Sequence, residues 1–198
     1  MIHDLDKTLE TLLKQELPTT LAGQVTISFA TPDDHFPPTG VSPPAIDLFL
    51  YDVRENRELR NNEWVVDRES DGKVTKKRSP VRVECSYLIT AWPSVSAPNP
   101  IQDEHRILSE IMKVLLRHST IPSEILQGEL AKQKPDLPAV TLQPGHLQSL
   151  GEFWQALGGK PKAALNYKVT IGVEVHKPME AGPPVTDKRI PGKQKDES

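Results

Sequence analysis

The sequence predicts an α+β fold in a single domain, with a mostly antiparallel sheet of about four strands flanked by helices. Long runs of alternating apolar and polar residues predict the strands, and three segments with apolar residues at steps of three and four predict amphipathic helices. The predicted strands follow one another in groups instead of alternating with the helices. This order favours an antiparallel sheet over the parallel sheet of an α/β protein.

The first predicted helix covers the start of the chain and ends at Pro18. Its apolar stripe consists of Ile2, Leu5, Leu9, Leu12, Leu13 and Leu17. A half-buried strand follows at 25–29, where apolar and polar residues alternate. Residues 31–44 are predicted to be an irregular loop because prolines interrupt them throughout, namely Pro32, Pro37, Pro38, Pro43 and Pro44.

Three longer strands are predicted at 46–53, 81–91 and 165–175, and a further short strand at 140–142. The segment 46–53 has apolar residues at successive positions, so both of its faces are expected to be covered. We therefore expect it to be a central strand of the sheet.

Two further helices are predicted to cover the sheet. The first lies between Pro100 and Pro122, with acidic residues in its first turn and basic residues in its last turn, as the helix dipole favours. The second spans 147–157 and ends at the pair Gly158-Gly159.

Residues 54–82 are too highly charged to belong to a core, since they contain nine basic and six acidic side chains. The dipeptide Asp71-Gly72 is a strong two-residue hairpin signal. The segment is therefore predicted to be a charged hairpin arm that projects from the domain.

Residues 177–198 lack an apolar period and are rich in proline, which predicts a flexible C-terminal tail outside a domain of residues 1–176. Within this tail, 185–190 is free of proline. Once ordered, such a stretch can add a strand to the edge of a partner's sheet.

The composition excludes several classes of protein. The chain has 198 residues, of which 36% are hydrophobic, and this is below the ~45% typical of a compact domain. Its single cysteine allows no internal disulfide and no cysteine metal cluster. Its net charge of -3 argues against general nucleic-acid binding. Its acidic start and its lack of a long apolar run predict a protein folded in the cytosol and not inserted in a membrane.

Motifs of common enzymes fail when they are compared position by position. Gly158-Gly159-Lys160 is followed by Pro161 where a phosphate-binding loop needs Ser or Thr. Ser149 lacks the first glycine of a nucleophile elbow. His105 and His118 lie on different faces of one predicted helix, and Cys85 belongs to the inward-facing positions of a strand. The sequence therefore predicts no catalytic site, no cofactor and no metal site.

The arm carries the clearest interaction signal, in a set of basic side chains around one tryptophan: Arg57, Arg60, Trp64, Lys76, Lys77 and Arg78. A basic cluster beside an aromatic ring can hold a phosphate backbone. Mixed charge on an exposed hairpin also suits a complementary protein surface, which the interleaved acidic residues favour. The third interpretation of the arm is a solvated loop without a partner.

Several long stretches resemble the tail-terminator or cap proteins of bacterial extracellular contractile injection systems, which are headless, phage-tail-like particles. The resemblance runs in order from the N-terminal helix to about Val175. It rests on 46–56 (IDLFLYDVREN), 80–83 (PVRV), 86–92 (SYLITAW), 103–106 (DEHR), 115–118 (LLRH), 149–160 (SLGEFWQALGGK) and 165–169 (LNYKV).

The resemblance implies a structural protein without catalytic activity. Six copies would form a homo-hexameric ring that binds the end of the inner tube protein, ends its polymerisation and anchors the last ring of the sheath protein. Assembly would take place in the cytoplasm, in a particle that can be released. The arm is then expected to contact other subunits or the tube, and the tail to contact the sheath. The alternative is a small nucleic-acid or protein-binding module that uses the basic hairpin arm.

Overall fold

The computed structural model describes residues 1–68, 74–133, 136–143 and 149–180. The chain divides into two compact units. The first consists of Met1–Arg60 and Val81–Val173, and the second of Asn61–Pro80 and Glu174–Ser198. The predicted hairpin turn at Asp71-Gly72 and the tail beyond Glu180 lie outside the described residues, so the predicted boundary at 176 stays a prediction.

The helices and strands are numbered in chain order. The helices are α1 (Ile2–Glu16), α2 (Thr19–Ala22), α3 (Pro100–Arg117) and α4 (Leu150–Ala156), with short 3-10 turns at Ser123–Ile125 and Gly128–Lys132. The strands are β1 (Thr26–Ser28), β2 (Ala45–Glu55), β3 (Trp64–Arg68), β4 (Val74–Arg78), β5 (Val81–Trp92), β6 (Thr120–Ile121), β7 (Leu137–Thr141), β8 (Ala164–Val173) and β9 (Met179–Glu180).

The first unit contains a six-stranded sheet in the order β1-β2-β5-β8-β7-β6. All neighbouring strands pair antiparallel except β1 and β2, which are parallel. The predicted α+β class with a mostly antiparallel sheet is confirmed. The sheet is larger than the predicted four strands because very short strands such as β6 have no hydrophobic period that would reveal them.

One face of this sheet packs against α1, α3 and the 3-10 turns and forms the main core. Alternate residues of each long strand enter this core, for example Ile46, Tyr87 and Val169. The helices contribute a stripe of fully or nearly fully buried side chains: Leu5, Leu9, Leu12, Leu13, Ile107, Ile111, Val114 and Leu115. Helix α1 ends where Pro18 predicts.

The opposite face of the sheet is covered by a second, smaller apolar group. Leu88 of β5 is buried, as are Phe36 from the proline-rich loop and Trp154 from α4. The ring of Phe153 in α4 lies 6.1 Å from that of Phe49 in β2. Helix α4 therefore covers the side of the sheet away from α1 and α3.

Helix α4 is bounded by local signals. At its start, the backbone N–H of Glu152 donates to the Ser149 hydroxyl at 3.2 Å. At its end, Gly158 adopts a φ of 69°, and the N–H of Gly159 bonds to the carbonyl of Trp154 at 3.1 Å. The predicted stop at Gly158-Gly159 is confirmed, because this left-handed turn favours glycine.

The expectation that 46–53 forms a central strand is wrong. Strand β2 is next to the edge of the sheet, and β5 is the strand that lies between two long neighbours. Strand β1 pairs with β2 only from Ala45 to Asp47. Apolar residues at successive positions show that both faces of a strand are covered, but they carry no information on its two lateral neighbours.

The second unit contains a three-stranded antiparallel sheet in the order β3-β4-β9. Strands β3 and β4 flank the predicted hairpin turn and pair from Trp64 with Arg78 to Arg68 with Val74. The antiparallel pairing that Asp71-Gly72 predicts is therefore present, and the projection of this arm from the domain stays a prediction.

Candidate functional site

The six predicted interface residues fall into two groups. Arg57 and Arg60 belong to the first unit, in the segment after β2, where the Arg60 guanidinium lies 3.7 Å from the Glu55 carboxylate. Trp64, Lys76, Lys77 and Arg78 belong to the sheet of the second unit. The candidate site is therefore built from this sheet, and each group is described by itself.

Strand alternation divides the basic run of β4 between the two faces of its sheet. Residues paired across neighbouring strands share a face, and the pairs are Trp64 with Arg78, Val66 with Lys76, and Lys76 with Met179. We call this set of five residues the cationic face. Lys77 lies on the other face, opposite Val65.

Two cations of the cationic face are held against one aromatic ring. The Lys76 ammonium lies 5.1 Å from the centroid of the Trp64 ring, and the Arg78 guanidinium carbon lies 5.2 Å from it. These distances are within the range of cation–π attraction, which orients both side chains. The two cations thus place positive charge next to the apolar surface of the Trp64 ring.

The apolar members of the cationic face are exposed. Trp64 is 43% exposed, Val66 56% and Met179 51%. Tryptophan, methionine and arginine are enriched at protein–protein interfaces, and a buried aromatic anchor often contributes much of the binding energy. This face is suited to a partner surface with apolar groups and carboxylates.

Lys77 differs from its neighbours because its charge already has a partner within the second unit. Its ammonium donates to the Glu174 carboxylate at 3.1 Å. The sequence grouped Lys76, Lys77 and Arg78 as one basic cluster, but the structure makes Lys77 the matched control for the other two.

A cleft of about 330 Å³ lies in the first unit, outside this sheet. The ring of Trp92 stacks on Phe36 at 4.3 Å and lies under the Lys162 ammonium at 4.5 Å. Lys162 also forms an ion pair with Glu104, so its charge is compensated. The rest of the lining includes Pro32, Asp33, Asp34, Trp154, Gly158, Gly159 and Lys160.

Beside this cleft, Asp33, Asp34 and His35 bring their ligand atoms close together. The His35 imidazole lies 2.6 Å from the Asp34 carboxylate, and His35 and Asp34 are both exposed. This arrangement is typical of a solvated surface turn, in which the backbone N–H of His35 donates to the Asp33 carboxylate at 2.9 Å.

Asp47 and Cys85 are buried titratable groups of the large sheet. Burial raises the pKa of Asp47 to about 7, although the Ser28 hydroxyl and the Ala30 N–H favour its ionised form. Neither of its carboxylate oxygens makes a hydrogen bond of normal geometry with a described residue. Cys85 is fully buried, and burial raises the pKa of its thiol to about 11, so it is a small apolar core residue with a protonated thiol.

Within the described ranges, no helix has both the length and the apolar character needed to cross a bilayer.

Comparison with models of protein families shows the family to which the chain belongs. The profile of the Pvc16 N-terminal domain matches residues 4–187. The chain belongs to the Pvc16 N-terminal domain family. The resemblance to tail-terminator proteins is thereby confirmed. A search of curated protein sequences finds no significant match to this family member.

Two solved structures share the fold of this Pvc16 N-terminal domain. A PVC sheath/tube terminator, determined by cryo-EM in the extended state of an extracellular contractile injection system, is 26% identical with a TM-score of 0.68 over 98% of this chain. The tube-terminating cap of the anti-feeding prophage is 25% identical with a TM-score of 0.61 over 94% of this chain. This chain spans 64% and 59% of the length of those two proteins.

Sequence reasoning missed two members of the cationic face. Val66 follows Trp64 by two positions, so strand alternation alone could have placed it on the same face. No local signal could have found Met179, because it joins the face only through the pairing of β9 with β4, far apart in the chain.

Proposed function

We propose that this chain is the terminator of a contractile injection particle. Its copies form a hexameric ring that binds the end of the inner tube, ends tube polymerisation and anchors the last ring of the sheath. The observation that supports this function most strongly is the likeness of nearly the whole chain to a sheath/tube terminator.

The cationic face is our candidate for the contact with a neighbouring subunit or with the tube. A closed ring uses two different surfaces of each copy, so one surface must complement the other. Trp64, Lys76 and Arg78 supply an aromatic anchor with positive charge, which suits an acidic partner surface. Arg57 and Arg60 are assigned to the same role from their charge alone.

The test combines the purified chain with the inner tube protein. Negative-stain microscopy and native mass should show a six-fold ring at tube ends, and tubes should stay shorter when the chain is added. Tubes that lengthen at the same rate with and without the chain would contradict a terminator.

A pair of matched variants tests the assigned surface. Lys76→Glu combined with Arg78→Glu reverses the charge beside Trp64 and should abolish ring formation or tube binding. Lys77→Glu changes the opposite face of the same strand and should affect binding much less. Circular dichroism controls for folding, and equal loss of binding in both variants would remove the cationic face from this role.

A second candidate function is favoured by the two cations over the Trp64 ring, since a base can stack where cations hold the phosphates. A nucleic-acid-binding module would shift single-stranded DNA or RNA in a gel at low salt, and the shift would weaken steeply as salt is added. Absence of any shift at low salt would exclude this candidate.

A further inference from the structure

The cleft of the first unit has aromatic walls. Its lining comes from the proline-rich loop, from β5, and from α4 with the turn that follows it, and it includes the rings of Phe36, Trp92 and Trp154. The Trp92 ring is half-buried and stacks on Phe36. The volume of about 330 Å³ is close to the lower end of the range of ligand pockets, ~300–1,000 Å³. A cleft of this size suits one large side chain, and its walls favour an aromatic one.

The lining of the cleft also carries an excess of negative charge. Asp33 and Asp34 both belong to it, and we call them the rim carboxylates. Lys162 is paired with Glu104, so its charge is already compensated. Among the described residues that line the cleft, the rim carboxylates then stand against Lys160 alone, which leaves one negative charge in excess. Positively charged side chains of another molecule are therefore attracted to this cleft.

The cationic face of the second unit has the complementary features. Its aromatic member, Trp64, is exposed. Lys76 and Arg78 are held against the Trp64 ring. This face thus presents an aromatic side chain between two cations, whereas the cleft combines aromatic walls with two carboxylates. Aromatic anchors at protein interfaces typically fill pockets of the partner, and charge pairs around them fix the register.

We propose that the cationic face of one copy docks on the cleft of a second copy. Trp64 enters the cleft, and Lys76 and Arg78 pair with the rim carboxylates. The two surfaces differ from each other, so their contact is heterologous and can close into a ring when it is repeated. The contact rests on the ring of the proposed function, which requires two complementary surfaces on every copy. It assigns the cationic face to a neighbouring subunit and not to the tube.

Chemical cross-linking between two variants of the full chain tests this contact. His35→Cys adds a thiol at an exposed position beside the rim carboxylates, and Val66→Cys adds one on the cationic face. One variant is labelled with 15N, and the two are mixed with a thiol-reactive bismaleimide, both in solution and with tubes present. Mass spectrometry should find a dimer that contains one copy of each isotope, cross-linked from position 35 to position 66. The original chain, whose Cys85 is buried, gives the background.

Val65→Cys is the matched control for Val66→Cys. The two valines are adjacent in β3 and similarly exposed, at 44% and 56%. Val65 pairs with Lys77, on the face opposite the cationic face. Because alternate residues of a strand point to opposite faces, the yield with His35→Cys should be about tenfold lower for Val65→Cys.

Further substitutions test the two parts of the contact. Asp33→Asn combined with Asp34→Asn removes both charges and keeps an acceptor for the backbone N–H of His35. In the His35→Cys copy this change should lower the yield by about three- to tenfold, as expected for two ion pairs at a rim.

Trp64→Leu in the Val66→Cys copy removes the anchor and should lower the yield by about tenfold or more. Lys77→Met in the same copy should leave the yield unchanged, because Lys77 lies on the other face and pairs with Glu174. Circular dichroism checks the folding of every variant.

The contact would be overturned by a yield no higher than the background in solution and on tubes. Equal yields from Val65→Cys and Val66→Cys, or a yield unaffected by Trp64→Leu or by neutral rim residues, would also overturn it. These outcomes are independent of the tube-length assay. Copies that shorten tubes without the cross-link retain the proposed function and lose only this contact, whereas copies that cross-link without shortening tubes retain the contact and lose the terminator function.

Discussion

The two units of the chain use their apolar side chains in opposite ways. In the first unit, Leu9, Ile46 and Tyr87 are fully buried between helices and a six-stranded sheet. In the second unit, Trp64, Val66 and Met179 are exposed on a three-stranded sheet. The first unit therefore contains the buried apolar core, and the second displays apolar surface beside positive charge. Substitutions should affect folding in one unit and association in the other.

The largest effect of a substitution on the free energy of unfolding is expected in the main core. Leu9→Ala should lower the free energy of unfolding by about 2–5 kcal/mol, because a fully buried leucine leaves a cavity. Val66→Ala, at an exposed position of the second unit, should change it by less than ~0.5 kcal/mol. Urea unfolding measures both, and equal losses would show that Val66 is packed as a core residue.

The next effect is a pH dependence within the first unit. Burial raises the pKa of Asp47 to about 7 in the folded state, above its ordinary value of 3.8. Between these values the folded state binds more protons than the unfolded state, so stability falls as pH rises from about 4 to 7. The free energy of unfolding should fall by ~4 kcal/mol in total over this range because of Asp47.

Asp47→Asn should remove this contribution, so the variant should gain stability relative to the original chain as pH rises through this range. Urea unfolding at pH 4, 5.5 and 7.5 measures the difference. A constant difference for Asp47→Asn would show that folding does not raise the pKa of Asp47.

A smaller effect is expected where Gln133 covers the edge of β8. Gln133→Ala leaves the N–H and the carbonyl of Gly172 without this partner and should cost about 1–2 kcal/mol. Hydrogen exchange at the Gly172 amide should become faster. Gln133→Met keeps the length of the side chain without its amide and should behave like the alanine variant. Protection of Gly172 in both variants would contradict the role of the amide.

The smallest effect is expected within the cationic face. A double-mutant cycle with Trp64→Leu and Lys76→Met should give a coupling free energy of about 0.5–1 kcal/mol from the cation–π contact. The same cycle with Lys77→Met should give none, because Lys77 lies on the other face and pairs with Glu174. Equal coupling for both lysines would contradict the division of the two faces.

Local patterns predicted the long elements well. The ends of α1 and α4 are set by Pro18 and by Gly158-Gly159, which act within one helical turn. Strand pairing depends on residues far apart in the chain, so the short strands β6 and β9 and the lateral place of β2 could not be derived from periodicity.

The candidate site shows the same limit. Charge and one tryptophan were sufficient to select Trp64, Lys76 and Arg78 from the sequence. Pairing across strands then separated Lys77 from them and added Met179.

The sequence by itself therefore determined the class of fold and the charged strands on either side of Asp71-Gly72, because these depend on local period and composition, and its long matching stretches carried the resemblance to terminator proteins. Only the tertiary structure decided which side chains share a face, which backbone groups Gln133 covers and which strands lie beside β2, because these depend on hydrogen bonds between distant segments.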